Sequence, residues 1–274
     1  MSIKNIYIFI DGGYFCFYRL YTTMAWWKKA KIELVKNGEQ EIASDPEFID
    51  KWRQGFVKSL QEIPKKLGLS KQTTHKIFVG KDCKRVTNWR MGLLNEYKAN
   101  RKENTIIGSF FTKVFEEELF QQGGVEVILD HPHLEADDVI ALSVKKLLQE
   151  NPDNIKIYII TSDKDYLQLL TDETQIEIYN LAFKNIATLK SSFGSFQANL
   201  FCKIVMGDTS DNIRGVLKKC GPKTALKCFN DRDYFLKRIL EENAQEKYEL
   251  NQKLIDFNCI PQKYIDEFYS SISL

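Results

Sequence analysis

Val125-Glu126-Val127-Ile128-Leu129, followed after a short loop by Glu135-Ala136-Asp137-Asp138, is the stretch whose reading decides the fold. The first part is a short apolar run of the kind expected for a buried strand. The second places three carboxylates in four residues at the head of an apolar helical run, 139–148. Taken alone, acids in a first helical turn are explained by the positive end of the helix dipole. The reading changes because other acids hold the same relative place. The continuous apolar run Ile6-Tyr7-Ile8-Phe9-Ile10 ends in Asp11-Gly12-Gly13, and Lys76-Ile77-Phe78-Val79 leads into Gly80-Lys81-Asp82. A third run, 155–161, leads into Ser162-Asp163-Lys164-Asp165, and Ile176-Glu177-Ile178-Tyr179 alternates like an edge strand. Strands that alternate with helices predict an α/β fold, with a mostly parallel twisted sheet flanked by helices. In such a sheet the carboxyl ends of the strands share one edge, and ligands bind there.

Asp11, Asp82, Glu135, Asp137, Asp138, Asp163 and Asp165 are therefore expected to face one crevice, with Asp208 and Asp211 joining from a later loop. Like charges ~4 Å apart repel by about 1 kcal/mol even in bulk water, and by more inside a protein. Either their pKa values rise or cations fill the site. All-oxygen ligands suit hard ions such as Mg²⁺, with Mn²⁺ as a substitute. So many acids predict two ions ~3.5–4 Å apart, the arrangement that clamps both oxygens of a phosphodiester in displacement. The bland alternative is a set of unrelated helix caps and surface acids.

The rest of the chain bounds this reading. It has 274 residues and a net charge of only +2, so whole-chain charge does not argue for nucleic acid. No apolar run is long enough to span a bilayer, so no membrane partner is expected, and no export signal is read at the start. Six scattered cysteines without a C-x-x-C pair are expected as reduced thiols in an intracellular protein. His131-Pro132-His133 reads as a metal pair or as a loop before a helix. Residues 14–27 read as an aromatic-rich helix, Asn37-Gly38 as a turn, and Asp45-Pro46 as the start of a helix reaching about Lys66. A helix is expected over 105–122, and Asn151-Pro152-Asp153 as a break. Residues 84–102 hold six basic residues against one acid, with Trp89 and Tyr97 interleaved. That composition tracks a phosphate backbone and stacks bases. Strands stop from Phe196 onward and the rest reads helical, so a core is expected over 1–190 and a helical region over 191–274. Residues 214–227 hold five basic residues and no acid.

The motifs together resemble the flap endonuclease/5′-3′ exonuclease family, which includes the nuclease domain of bacterial DNA polymerase I and stand-alone phage and viral enzymes. The resemblance rests on Asp11-Gly12 with downstream Arg19, Glu96-Tyr97-Lys98-Ala99-Asn100-Arg101, Glu135-Ala136-Asp137-Asp138, Thr161-Ser162-Asp163-Lys164-Asp165 and Gly207-Asp208-Thr209-Ser210-Asp211-Asn212-Ile213. Gly221-Pro222-Lys223-Thr224-Ala225 completes it. It implies Asp11, Asp82, Glu135, Asp137 and Asp138 on one metal, and Asp163, Asp165, Asp208 and Asp211 on a second. Lys98 and Arg101 would steer the scissile phosphate and Tyr97 would stack on a base. Residues 84–104, with Lys84, Arg85 and Arg90, would form a helical arch. Arg19 would contact a phosphate. A helix-hairpin-helix over 200–230, with Arg214, Lys218, Lys219, Gly221, Lys223 and Thr224, would hold duplex DNA and, in the family, a K⁺ ion.

Two departures stand out. The hairpin is one residue longer than the family pattern and short of a glycine, which weighs against the K⁺ site. Arg19 lies one residue further from Asp11 than in the bacterial enzymes. The implied activity is two-metal, Mg²⁺-dependent hydrolysis of branched, 5′-flap, nicked or free 5′-end DNA, or of the RNA in a hybrid. The implied setting is replication, repair or recombination, by a monomer in cytoplasm or nucleus, with no evident sliding-clamp motif. A PIN-like ribonuclease and a non-catalytic junction-binding protein are the alternatives.

Overall fold

The structure is a computed structural model that describes residues 5–30, 39–102, 104–151, 154–170, 175–189 and 193–272. The expected turn at Asn37-Gly38 and the Pro152-Asp153 part of the expected break lie outside these residues. Five strands, β1 (Asn5–Asp11), β2 (Lys76–Gly80), β3 (Val127–Leu129), β4 (Ile155–Ile160) and β5 (Ile176–Tyr179), form one sheet in the order β3-β2-β1-β4-β5. Every pairing is parallel, and β5 is an edge strand as its alternation predicts. β3 is shorter than its apolar run. Val125 donates its N–H to Phe120 O in the preceding turn, so the chain joins the sheet only from Glu126, whose N–H reaches Ile77 O.

Within the apolar run of β1 the side chains alternate between two cores. Ile8 and Ile10 pack with Phe15, Trp27, Phe48, Trp52 and Phe56 on one face. Tyr7 and Phe9 pack with Val139, Ile140 and Val144 on the other. The first face is covered by α1 (Gly12–Ala30), α2 (Glu39–Ser44), α3 (Pro46–Lys66), α4 (Thr105–Glu116) and α5 (Leu119–Gln122). Asp45 caps α3, accepting from Glu47 N at 2.8 Å, with Pro46 at its first position, where the missing N–H costs nothing. The expected single helix over 105–122 is broken into two. Arg53 grips the Glu117 carboxylate with two bonds of 2.7 and 2.6 Å, and Glu118 turns left-handed at φ +53°.

The second face is covered by α6 (Ala136–Glu150) and by the 3-10 turn Lys164–Leu169. Beyond it lie α7 (Phe196–Met206), α8 (Pro222–Asn230), α9 (Arg232–Glu241), α10 (Gln245–Ile255) and α11 (Gln262–Ser271). α7, α8 and α9 have their own small core around Phe201, Cys202, Val216, Ala225, Cys228 and Phe235. The end of the chain does not stay with them. Phe257, Ile260 and Phe268 return to the sheet and share the core of Phe9 and Val139, so contacts cross the expected division at residue 190. All six cysteines are free.

The expected arch helix over 84–104 is not formed. Residues 84–102 run through two short 3-10 turns, Arg85–Thr87 and Trp89–Gly92, and then irregular turns to Arg101. Lys98 turns left-handed at φ +55°, and bonds from Lys98 N to Asp211 O and from Asn212 Nδ2 to Glu96 O hold the segment in turns, with Trp89, Arg90 and Tyr97 buried.

Candidate active site

Strand register brings the acids together. Asp11 lies level with Gly80, Gly80 with Leu129, and Ile10 with Ile160, so the chain exits of β1 to β4 share one edge. Close approach there needs glycine. A Cβ on Gly12 would stand 2.5 Å from Gly80 O, and one on Gly80 would stand 2.7 Å from Ala136 O. Asp82 Oδ2 and Asp11 Oδ1 both overlook Gly13, at 3.0 and 3.6 Å from where its Cβ would be.

Each acid is then oriented locally. Asp11 accepts from Tyr14 N at 2.9 Å and from Thr161 Oγ1 at 3.0 Å. Burial and the neighbouring Asp82 push its carboxyl up to about 7. Asp82 accepts the first free N–H of α6, from Ala136, at 2.9 Å. Asp163 caps the turn after β4, accepting from Asp165 N at 2.9 Å. Asp165 lies beneath it, pushed up to about 7 by burial and by Asp163, although Lys203 binds it. Lys203 also reaches Asp208 Oδ2 at 2.8 Å. Burial opposes ionisation of Asp208, but Lys203 and Ser210 outweigh it and hold the group at about 2.

Glu135 and Asp137 face the other side. Burial opposes ionisation of Glu135 as well. Lys98, Arg90 and the Tyr97 hydroxyl, at 2.7 Å, still bring it down to about 2. Asp137 feels Arg90 and Lys98 as well, but they do not prevail there. It receives only the N–H of Asp138, at 2.8 Å, and burial with Asp138 and Glu135 raises its pKa well above the usual range. A cavity of about 270 Å³ opens beside Asp82, Glu135, Lys98 and Arg101.

Several expected roles are corrected. Asp138 is not free to hold a metal. It is fully buried, its oxygens take Arg90 at 2.7 and 2.8 Å, and one also takes Trp89 Nε1 at 3.0 Å. Glu135, Asp137 and Asp138 offer oxygens within 4.8 Å of one another, but Arg90 takes both oxygens of Asp138 and reaches Glu135 Oε2 at 3.1 Å, so Asp137 is the one of the three that Arg90 does not bind. Arg90 is therefore no DNA contact. It is 2% exposed, and its Nε donates to Leu254 O at 2.8 Å, tying α6 to the end of α10. Tyr97, 2% exposed, cannot stack on a base while its hydroxyl serves Glu135.

Asp208 and Asp211, expected on the same ion, part company. Asp208 joins Asp165 through Lys203, whereas Asp211 pairs with Arg101 at 2.6 Å and Lys98 at 3.8 Å on the Glu135 side. Arg19 leaves the crevice and packs against Gly55 of α3. His131 and His133 close the loop rather than a metal site. His131 Nε2 lies 3.3 Å from Glu267, and His133 Nδ1 bonds Thr87 O at 2.6 Å.

Lys98 and Arg101 do reach the site, because two distant motifs are stitched together. Lys98 N donates to Asp211 O at 3.0 Å, Asn100 Nδ2 to Thr209 O at 2.7 Å, and Asn212 Nδ2 to Glu96 O at 2.8 Å. Lys84 is exposed, while Arg85 braces the segment through Tyr97 O at 2.6 Å. Beyond the crevice, Arg214, Lys218, Lys219, Gly221 and Lys223 are exposed and Thr224 is partly so, around the N-terminus of α8. Lys203 and Thr161 are the site residues that sequence reasoning missed. The available signal for Lys203 was a lysine one helical turn before Gly207-Asp208, facing the acids that motif presents.

The donor set, carboxylate oxygens with several pKa values raised by mutual repulsion, fits hard divalent cations. Within the crevice Asp11 feels Asp82 and Asp82 feels Glu135, while Asp165 feels Asp163 and Asp208. The bacteriophage T5 5′-exonuclease with bound divalent metal ions (zinc) has this fold, with a TM-score of 0.63 over 97% of both chains at 19% identity. The T5 flap endonuclease in complex with DNA and metal ions matches equally, with a TM-score of 0.63 at 19% identity over 97% of both chains. The 5′-3′ exonuclease of Mycoplasmopsis pulmonis is 30% identical over 182 residues, 61% of this chain and 56% of that protein. The ribonuclease H of enterobacteria phage T4 is 31% identical over 166 residues, 54% of this chain and 52% of that protein. The chain thus spans little more than half the length of these relatives. Residues 7–196 match the family described as 5′-3′ exonuclease, N-terminal resolvase-like domain. With that match covering well over half its length, the chain belongs to the 5′-3′ exonuclease family.

Proposed function

We propose that this protein is a structure-specific 5′ nuclease that hydrolyses DNA phosphodiesters at 5′ flaps, nicks or free 5′ ends, using two divalent ions, Mg²⁺ first and Mn²⁺ as a substitute. The carrying observation is the convergence of two carboxylate groups on one sheet edge, with Lys98 and Arg101 presented above them from a separate basic segment. Divalent ions held there would activate water for in-line attack and neutralise the leaving 3′ oxygen. The chain's own residues supply position and charge. Thr161 and Tyr14 fix the Asp11 carboxylate, and Ala136 fixes that of Asp82. Lys98 and Arg101 exchange their carboxylate partners for the scissile phosphate, to which the Arg101 fork binds bidentately. The exposed lysines and the N–H groups at the start of α8 hold duplex phosphates outside the crevice.

The name of the phage T4 relative supports a second substrate, the RNA strand of a hybrid, cut by the same groups. Branched or nicked DNA as partner places the protein, acting as a monomer, in replication, repair or recombination. The test is cleavage of a 5′-labelled flap with and without Mg²⁺. The double change Asp163→Asn, Asp165→Asn is expected to reduce cleavage by ~10³-fold or more while duplex binding persists. Undiminished cleavage by this variant in Mg²⁺ would falsify the proposal. Cleavage of single-stranded RNA alone, without duplex binding, would favour a PIN-like ribonuclease.

A further inference from the structure

A larger cavity, of about 680 Å³, opens between the Trp89–Gly92 turn and the junction of α10 with α11. It shares no residue with the cavity beside Asp82 and Glu135. Trp89, Leu93, Pro261 and Tyr264 give it apolar walls, and Lys253 and Lys263 line it as exposed cations. No carboxylate lines it among the described residues. The walls are held from outside. Trp89 N donates to His133 O at 3.1 Å and Trp89 Nε1 to Asp138 at 3.0 Å, so Trp89 offers the space a ring and no free donor. Tyr264 sets its ring against that of His133, with centroids 5.0 Å apart, and His131 of the same loop pairs with Glu267 of α11. The opening is preformed, and a Cβ at Gly92 would meet nothing within 4 Å.

The charges on this space are unbalanced. Lys253 forms no ion pair among the described residues, and its charge is felt at Cys259 beside the cavity. Lys263 shares Glu267 with His131, at 3.8 Å on the surface, and an exposed pair of that kind is worth little. Leu93, between the cations and the floor, is 40% exposed. Two available cations beside an apolar floor complement a segment with carboxylates on either side of a large apolar side chain. A nucleic-acid strand fits less well. It needs aromatic faces to stack on and a run of cations to follow. Here Trp89 is 8% exposed, Tyr264 already lies against His133, and the other walls are aliphatic.

We propose that this groove docks an acidic peptide segment of a partner protein, its apolar side chain seated between Trp89, Leu93 and Tyr264 and its carboxylates on Lys253 and Lys263. The site does not rest on the nuclease reading. The test uses the full chain and the fluorescence anisotropy of short labelled peptides with a central leucine, phenylalanine or tryptophan. One pool carries aspartates and glutamates around that residue, the other lysines. Flap DNA binding is measured in parallel in the Asp163→Asn, Asp165→Asn background, which keeps the DNA intact.

The acidic pool is expected to bind at least about 10-fold more tightly than the lysine pool. Lys253→Glu with Lys263→Glu should invert that preference, and Leu93→Ser should weaken the acidic pool about 5-fold. All three side chains are exposed, so the variants are expected to melt with the parent protein. Flap DNA affinity should stay within about twofold in each. No binding of the acidic pool, or binding that ignores both the charge reversal and Leu93→Ser, overturns the proposal. Lost DNA affinity on charge reversal, with peptide binding unchanged, makes this face a nucleic-acid contact and overturns it too. If flap DNA is neither bound nor cut, yet the acidic pool still binds in a Lys253-dependent way, the nuclease reading fails and the docking site stands.

Discussion

The two sides of the acidic crevice are built alike and balanced differently. On each, one lysine reaches between two acids: Lys98 between Glu135 and Asp211, and Lys203 between Asp165 and Asp208. On the first side Arg90, Arg101 and Tyr97 add to the lysine, and Glu135 is held at about 2. On the second side Lys203 bridges Asp165 and Asp208, with Asp163 also near, and Asp165 stays up at about 7. Lys203 rides on α7, whose Cys202 and Val205 are core residues, whereas Lys98 is held left-handed at φ +55° in an irregular segment. The protein neutralises Glu135 with its own cations and leaves Asp165, like Asp11 and Asp137, short of positive charge. The Glu135 side is therefore partly a structural joint, and the Asp165 side is where added cations act most.

The strongest way to break this contrast is through Arg90. Arg90→Met leaves Asp138 buried without its counter-charge and Glu135 with Lys98 alone, which costs about 3–5 kcal/mol. Arg101→Met, on an exposed side chain of the same segment, is expected to cost within about 1 kcal/mol. Urea melts of the two variants measure the difference. Equal costs would mean that the Glu135 side is not a joint.

A smaller effect sharpens the contrast between the lysines. Lys98→Gly removes the ammonium and relaxes the left-handed backbone. Cleavage is expected to fall about 10²-fold, as for loss of a transition-state donor, with stability changed by less than about 1 kcal/mol. Lys203→Met is expected to cost about 2–3 kcal/mol in the absence of divalent ions, because it leaves two acids without a cation. Adding Mg²⁺ should restore part of that stability for Lys203→Met and none for Arg90→Met, read from melting curves with and without the ion.

These pairings mark the limit of what the sequence carries. The crevice was legible because each acid follows an apolar run, and parallel strands have only one carboxyl edge. Which cation meets which acid was not. Arg90 and Arg101 lie in one basic stretch, and composition treats them alike. Yet Arg90 finds Asp138, 48 residues away, and Arg101 finds Asp211, 110 residues away. Asp208 and Asp211 share one loop, but its left-handed Asn212 and the bond from Lys98 N to Asp211 O send the second acid to the opposite side. The arch fails as a helix for the same reason: left-handed Lys98 and the bonds to the Asp211 loop come from distant partners, and composition shows neither.

The smallest prediction concerns pH and the uncompensated acids. Asp11 and Asp165 are raised from the ordinary carboxylate range to about 7. A raised carboxylate contributes stability while protonated, fully so below its unfolded pKa near 4, and loses it as pH climbs to the folded value. Glu135 and Asp208, lowered to about 2, contribute the opposite way, but their change lies below about pH 4.5. His131, lowered by burial, gains stability as pH rises through 6.5 and offsets part of the loss. Metal-free protein should therefore lose about 1–2 kcal/mol between pH 5 and 7. Divalent ions reverse the sign, because they bind the ionised acids and add about 2.7 kcal/mol at a hundredfold excess over Kd. Melting temperatures at pH 5, 6 and 7, with chelator or with Mg²⁺, should give slopes of opposite sign. With Asp163→Asn and Asp165→Asn in place both slopes should flatten, and slopes that persist unchanged would place the uncompensated charge elsewhere.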